Sequence, residues 1–320
     1  MPQQGLCNES MSIETAEHII DFIKRQYTKH PYRGKLQITW FGGEPLLNMP
    51  VIRHISNELK SQDIEFVAEI FTNGRLLTKD LAIELKELGI IRVVISVDGL
   101  ADTYAKLRNC KETDFYTVIQ NIKDCENILN IEVKINVTDA NLDDAHKLYK
   151  VLREDYHLKS KIIHIGVFSI NPDTRSGENS INNESLREFK EMDFQNEGMI
   201  NGLGGCPTRN PNYYAIGVHG EAYICAHMVN KKDFILGNIK ELDEQLNRTG
   251  TIWDIDSRIE KCKDCLAVPL CLGGCATVRY SYGNTDCDSD FILEHIAEKI
   301  RKAILNKFEQ QTTLQTVKTT

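Results

Sequence analysis

The chain has 320 residues, 41% of them hydrophobic and 26% charged, with ten cysteines and a formal net charge of −8 at pH 7. That acidic balance excludes an electrostatic footprint for nucleic acid or an anionic membrane, and no run of apolar residues approaches a membrane span. Met1 to Cys7 lacks the basic start and apolar core of a secretory leader, so a cytoplasmic location is expected, where clustered cysteines read as metal ligands ahead of disulfides.

From Ser12, a candidate N-cap, Ile13, Ala16, Ile19, Ile20 and Ile23 recur at helical spacing and predict an amphipathic helix that ends near Pro31. Residues 36–41 alternate as a strand and run into the breaker cluster Gly42-Gly43-Glu44-Pro45. A helix over 49–59 and a strand over 64–71 follow, then a turn at Thr72-Asn73-Gly74 and a helix from the N-cap Thr78 to Leu88, stopped by Gly89. Residues 91–97 form the apolar run of a buried parallel strand, ending in Asp98-Gly99. A polar loop with Arg108, a helix over 115–128, a strand over 131–137, a helix over 143–156 and a strand over 161–168 complete the alternation. Cys110 and Cys125 read as core or surface thiols.

Five strand and helix alternations require crossovers around a parallel sheet, whose chemistry gathers at the C-terminal strand ends. Those ends carry Gly42-Gly43-Glu44, Thr72-Asn73-Gly74, Ser96 to Gly99, and Asn136. Any one of them reads as an ordinary turn, whereas four on one edge point to a polar ligand site. Residues 171–200 are a polar linker with a short helix over 184–192, and a helix over 290–308 precedes a polar tail. Between them lies the cysteine region. Cys262, Cys265, Cys271 and Cys275 follow the spacing C-x2-C-x5-C-x3-C, bent by Pro269 and Gly273-Gly274, with Cys206, Cys225 and Cys287 in the same region. Thiolates so placed suit iron–sulfur clusters, with structural zinc as the alternative.

Gly42-Gly43-Glu44-Pro45 at a strand end resembles the GGEP motif of radical S-adenosylmethionine enzymes. The seven cysteines with Gly220 resemble the SPASM domain that many of these enzymes carry. The resemblance implies an α/β fold: a partial (β/α)6 TIM-like barrel over residues 1–170, a linker over 171–200, a small cysteine-rich iron–sulfur domain over 201–290, and a C-terminal helix and tail over 291–320. It also implies two auxiliary 4Fe-4S clusters. Cys262, Cys265, Cys271 and Cys287 would complete one shell, and Cys206, Cys225 and Cys275 would hold the other, whose fourth site is left to another side chain, water or a substrate sulfur. For S-adenosylmethionine it implies that the backbone of Gly42, Gly43 and Glu44, ahead of Pro45, meets the methionine amino group. Thr72, Asn73, Ser96, Asp98, Arg108 and Asn136 would line the rest of the pocket, although a solvated surface arginine explains Arg108 equally well.

The family's C-x3-C-x2-C loop, which holds a third 4Fe-4S cluster, is absent from the 320 residues. The expectation is a barrel lacking its first strand, with Met1 to Met11 matching the segment after that loop. A truncated record and a natural non-catalytic relative remain open. The leading functional expectation is a peptide maturase that installs thioether or carbon crosslinks by hydrogen abstraction, with a precursor peptide or protein as substrate and a flavodoxin or ferredoxin as electron donor. An anaerobic sulfatase maturase is the alternative enzyme, but those enzymes place an Asp soon after the cysteine matching Cys225, where this chain has Ala226 and His227. An iron–sulfur scaffold or peptide-binding protein is the alternative from another class. Tyr213 and Tyr214 either flank a substrate or pack a hairpin.

Overall fold

The computed structural model describes residues 9–29, 35–137, 141–166, 210, 212–241 and 262–266, together with Leu293, Ala297 and Arg301. The helix over 184–192 and most of that over 290–308 lie outside the described residues, as do Cys206, Cys271, Cys275 and Cys287. The chain divides into two compact units, Met1–Glu197 with Asn210–Asn247, and Gly198–Arg209 with Arg248–Thr320.

In the first unit, α1 (Ile13–Lys29) precedes β1 (Leu36–Trp40), and a 3-10 turn at Pro45–Asn48 leads into α2 (Met49–Ser61). Then come β2 (Phe66–Thr72), α3 (Lys79–Glu87), β3 (Ile90–Ser96), α4 (Ala101–Arg108), α5 (Glu112–Cys125), β4 (Ile131–Val137), α6 (Leu142–Lys150) and β5 (Lys161–Gly166). The sheet order is β1-β2-β3-β4-β5 and every pairing is parallel. Consecutive order with right-handed crossovers puts the helices on one face. The core bears this out: Val93, Ile95 and Val97 of the third strand segment and Ile131, Val133, Ile135 and Val137 of β4 are buried with Leu85, Val118, Ile122 and Leu148 of the helices. Fully burying such a side chain contributes about 2 kcal/mol, so this layer dominates the unit's stability.

Local signals set the boundaries. Thr15 N–H donates to Ser12 Oγ at 3.0 Å and Leu81 N–H to Thr78 Oγ1 at 3.2 Å, so both caps stand where the sequence puts them. The segment containing Arg108 is helical instead of a loop. Its sequence hides this, because Tyr104 is its one buried hydrophobic and its first turn is secured from afar: Leu100 N–H donates to Asp144 Oδ2 at 2.7 Å. The helix read over 143–156 ends its α-helical part at Lys150 and closes as a π-turn, Val151–Asp155. The strand read over 91–97 as an apolar run buried on both faces is bulged against β2. Glu69 pairs with Arg92, Ile91 is 57% exposed, and the opposite face carries Arg92 and Ser96.

The sheet's other face is polar. Thr39 Oγ1 donates to Glu69 Oε1 at 2.9 Å, Arg92 binds Glu69 Oε2 at 2.8 Å and also Glu132 Oε2, and Lys161 Nζ reaches Glu132 Oε1 at 3.3 Å. One residue from each of the five strands thus joins a ladder of alternating charge. Also in this unit, β6 (Ala215–Ile216), β7 (Glu221–Tyr223) and β8 (Ile235–Asn238) form an antiparallel sheet. Its Ala222 and the adjacent Ile239 bury against Phe22 of α1, and Arg25 Nη2 donates to Ile239 O at 2.8 Å. Tyr214 meets Phe22 edge-on at 5.3 Å, which assigns it to packing.

Candidate functional site

The strand ends converge in two polar junctions. At the first, Gly42 and Gly43 carry φ of 104° and 42°, a left-handed pair that side chains resist, and a Cβ on either would meet nothing within 4 Å. The space above them is open. The turn swings Glu44 back toward β2, where its carboxylate takes three donors: Leu46 N–H at 3.0 Å and Thr72 Oγ1 at 2.7 Å on Oε1, and Asn73 N–H at 2.7 Å on Oε2. Pro45 opens the following 3-10 turn, where its missing N–H costs nothing. Asn73 Oδ1 in turn accepts from Arg75 N–H at 2.9 Å, and Thr72 Oγ1 from Gly74 N–H at 3.1 Å.

At the second junction Asp98, 6% exposed, sits one residue past Val97. Its Oδ1 accepts both Asn136 N–H at 2.9 Å and Asn136 Nδ2 at 2.8 Å, and its Oδ2 accepts from Arg108 Nη2. Arg108 is exposed at the surface, and its guanidinium pairs with this buried carboxylate. Ser96 closes β3 half-buried on the same edge. Glu44 and Asp98 are both committed to internal partners. What they leave for a ligand is oriented neutral polarity: the Gly42-Gly43 backbone, the Asn136 carboxamide and the Ser96 hydroxyl.

Asn141 and Asp144 were not singled out by the sequence, yet both reach into this edge. Asn141 Nδ2 donates to Asp98 O at 2.6 Å and to Asn136 O at 2.8 Å. An Asn at a helix start reads as an N-cap, and nothing local reveals that its amide serves a strand 43 residues away.

The wall beside these junctions combines ring and charge. Phe41, 59% exposed, meets Phe71 edge-on at 5.5 Å, and Lys134 Nζ stands 6.0 Å from the Phe71 ring centre. His227 follows Cys225 by two residues and is exposed. Desolvation, then the charges of Lys134 and Lys231, hold its pKa below the ordinary histidine value.

Among the predicted metal ligands, Cys225, Cys262 and Cys265 lie within the described residues, and none of the three is in a disulfide. Cys225 and Cys262 are buried. Cys265 N–H donates to Cys262 O at 3.1 Å, so the C-x2-C pair closes one tight turn. Among the described residues no group of three or more metal-ligating side chains comes together.

Residues 7–152 match the family model of the Radical SAM superfamily. Over 139 residues the chain is 34% identical to the GTP 3',8-cyclase of Alkaliphilus oremlandii, covering 43% of this chain and 41% of that protein. The chain spans less than half the length of the curated relatives it matches. Among solved structures, native anSMEcpe with bound AdoMet and Cp18Cys peptide superposes with a TM-score of 0.67 at 19% identity, over 93% of this chain and 91% of that one. Streptococcus suis SuiB bound to precursor peptide SuiA superposes with a TM-score of 0.57 at 17% identity, over 83% and 66%. At such identities the likeness establishes the fold: the five-stranded sheet is that of a partial TIM-type barrel.

Proposed function

Because residues 7–152 match the family model of the Radical SAM superfamily, we propose that this chain binds S-adenosylmethionine and auxiliary clusters as a peptide maturase. The observation that carries the reading is the shared edge. Four consecutive parallel strands end in side chains already locked to one another, beside a glycine pair with open space over it.

The donor set fits the cofactor. A methionine zwitterion and a ribose need carbonyl acceptors, amides and hydroxyls held still, and here Glu44 fixes the Gly42-Gly43 turn while Asp98 fixes Asn136. S-adenosylmethionine, when bound and reduced, supplies a radical that abstracts hydrogen. The residues of this chain bind and orient: Gly42 and Gly43 offer backbone to the amino group, and Asn136 and Ser96 meet the ribose. Phe41, Phe71 and Lys134 wall the space where a substrate side chain is held. A three-thiolate C-x3-C-x2-C loop is not among the 320 residues, so cluster-dependent cleavage draws on ligands these residues do not supply.

The seven cysteines fit two auxiliary 4Fe-4S clusters as far as their described members allow: Cys262 and Cys265 pair in a C-x2-C turn and Cys225 is buried, with none of them in a disulfide. Cys262, Cys265, Cys271 and Cys287 hold one cluster, and Cys206, Cys225 and Cys275 the other. A peptide substrate is favoured over a nucleotide because peptide-bound neighbours extend over 93% and 83% of the chain, whereas the cyclase relative covers 43%. A flavodoxin or ferredoxin would deliver electrons in a cytoplasmic setting. The alternatives are an anaerobic sulfatase maturase-like enzyme, in which His227 stands where an acidic base is expected, and a non-catalytic iron–sulfur scaffold.

Equilibrium dialysis of labelled S-adenosylmethionine against the reconstituted chain tests this reading. One saturable site that GTP does not compete for is expected. No binding at millimolar cofactor, or displacement by GTP, overturns it.

A further inference from the structure

We propose that Asn141 is a positioning residue for the cofactor rim, holding the exits of β3 and β4 at the spacing that aims Asn136. The inference rests on the S-adenosylmethionine reading above and adds a residue that does not itself face the ligand.

The helix α6 begins at Leu142, so Asn141 is its N-cap, a position where an asparagine side chain normally accepts from the helix's own free N–H groups. Here it makes no such bond. The side chain turns away and its two amide hydrogens go to main-chain oxygens at two different strand exits, Asp98 O at 2.6 Å and Asn136 O at 2.8 Å. Asn141 is 3% exposed, so these bonds are made without competition from water. A capping interaction is given up for a cross-strand one.

The same helical turn makes a third attachment. Asp144, also in the first turn of α6, accepts Leu100 N–H at 2.7 Å. Between the two anchor points lies Gly99, where an added Cβ would stand 2.5 Å from Asp144 Oδ2 and 2.5 Å from Thr103 Cγ2. Only glycine lets the β3 exit approach the helix this closely. Asp98 then passes the constraint on, since its carboxylate grips the N–H and carboxamide of Asn136. Asn136 is held from both sides: its carbonyl by Asn141 and its amide by Asp98. The direction of its carboxamide oxygen is fixed as a consequence.

The experiment measures the dissociation constant for S-adenosylmethionine alongside the melting temperature in three variants. Asn141→Asp keeps the shape and removes both donors, and Gly99→Ala presses on the same strut from its other side. Leu148→Ala, a core change further along α6, lowers stability without touching the strut. Asn141→Asp and Gly99→Ala are expected to weaken binding by at least about tenfold, the usual effect of removing a residue that orients a ligand-contacting group. Leu148→Ala should leave the dissociation constant within about twofold at comparable thermal loss. If the unsubstituted chain binds and the variants bind equally well, or if Leu148→Ala weakens binding as much as they do, the inference fails while the cofactor reading stands. If the unsubstituted chain does not bind, both fall.

Discussion

Glu44 and Asn73, 29 residues apart in sequence, are joined by a 2.7 Å hydrogen bond from the Asn73 main-chain N–H to Glu44 Oε2. This bond welds the exit of β1 to that of β2, and with Thr72 and Leu46 it gives the carboxylate three donors. Glu44→Ala leaves three donors without an acceptor. It should cost about 3 kcal/mol in urea unfolding, with Glu44→Gln at roughly half that, because one oxygen survives as an acceptor. A loss below about 0.5 kcal/mol for the alanine variant would show the weld to be solvated.

The strands and the edge they share were legible from periodicity, because β4 alternates buried Ile131, Val133, Ile135 and Val137 with polar neighbours and every exit carries a breaker. The pocket residues were legible as a set but not in their roles. Glu44 is held by Thr72 and Asn73, and Asp98 by Asn136 as well as Arg108; the bonds between strand exits are a matter of long-range register that no local pattern encodes. The helix over Ala101–Arg108 and the diverted cap Asn141 were not legible for the same reason: their stabilising partners lie more than 40 residues away. The charge ladder left a trace, the lone charges Glu69 and Arg92 inside the otherwise apolar β2 and β3.

That ladder yields the next prediction. Glu132 is only 8% exposed at its side chain and takes both Arg92 and Lys161, whose own side chains are 24% and 40% exposed. Removing one partner of a buried pair is costly, and the solvent available to the cations moderates the loss to about 2 kcal/mol for Glu132→Gln. A double-mutant cycle with Arg92→Met should return a coupling energy of about 1 kcal/mol or more by chemical denaturation; additivity would mean that the ladder contributes nothing.

Tyr104 gives the chain an alkaline limit. Burial in the first place, then the nearby Cys110, pushes its phenol up to about 12 from 10. A folded-state value above the unfolded one means the stabilisation is complete below pH 10 and is lost as the pH climbs toward 12. Two units correspond to about 3 kcal/mol at most. Unfolding free energies between pH 7 and 11.5, taken on the unsubstituted chain and on Tyr104→Phe, should converge at neutral pH and diverge above 10, with the phenylalanine variant the more stable.

Removing Lys134 should be felt at His227. With Lys134→Met the imidazole keeps its desolvation but loses one of the two cations that disfavour its protonation, so its pKa rises toward the ordinary value. In the unsubstituted chain the depressed value means that stability is lost as the pH falls through the unfolded histidine range, where the unfolded state takes up the proton first. Titration of the His227 ring proton by NMR reads the shift, and a pKa that falls or stays put would place Lys134 out of range.

The central claim is that the cysteine region of this chain holds iron–sulfur clusters, and metal stoichiometry tests it most directly. After anaerobic reconstitution with iron and sulfide, followed by removal of unbound metal, the 320-residue chain should retain about eight irons and a matching amount of acid-labile sulfide, falling by about half in Cys262→Ala. Retention of zinc with no iron and no labile sulfide would contradict the account.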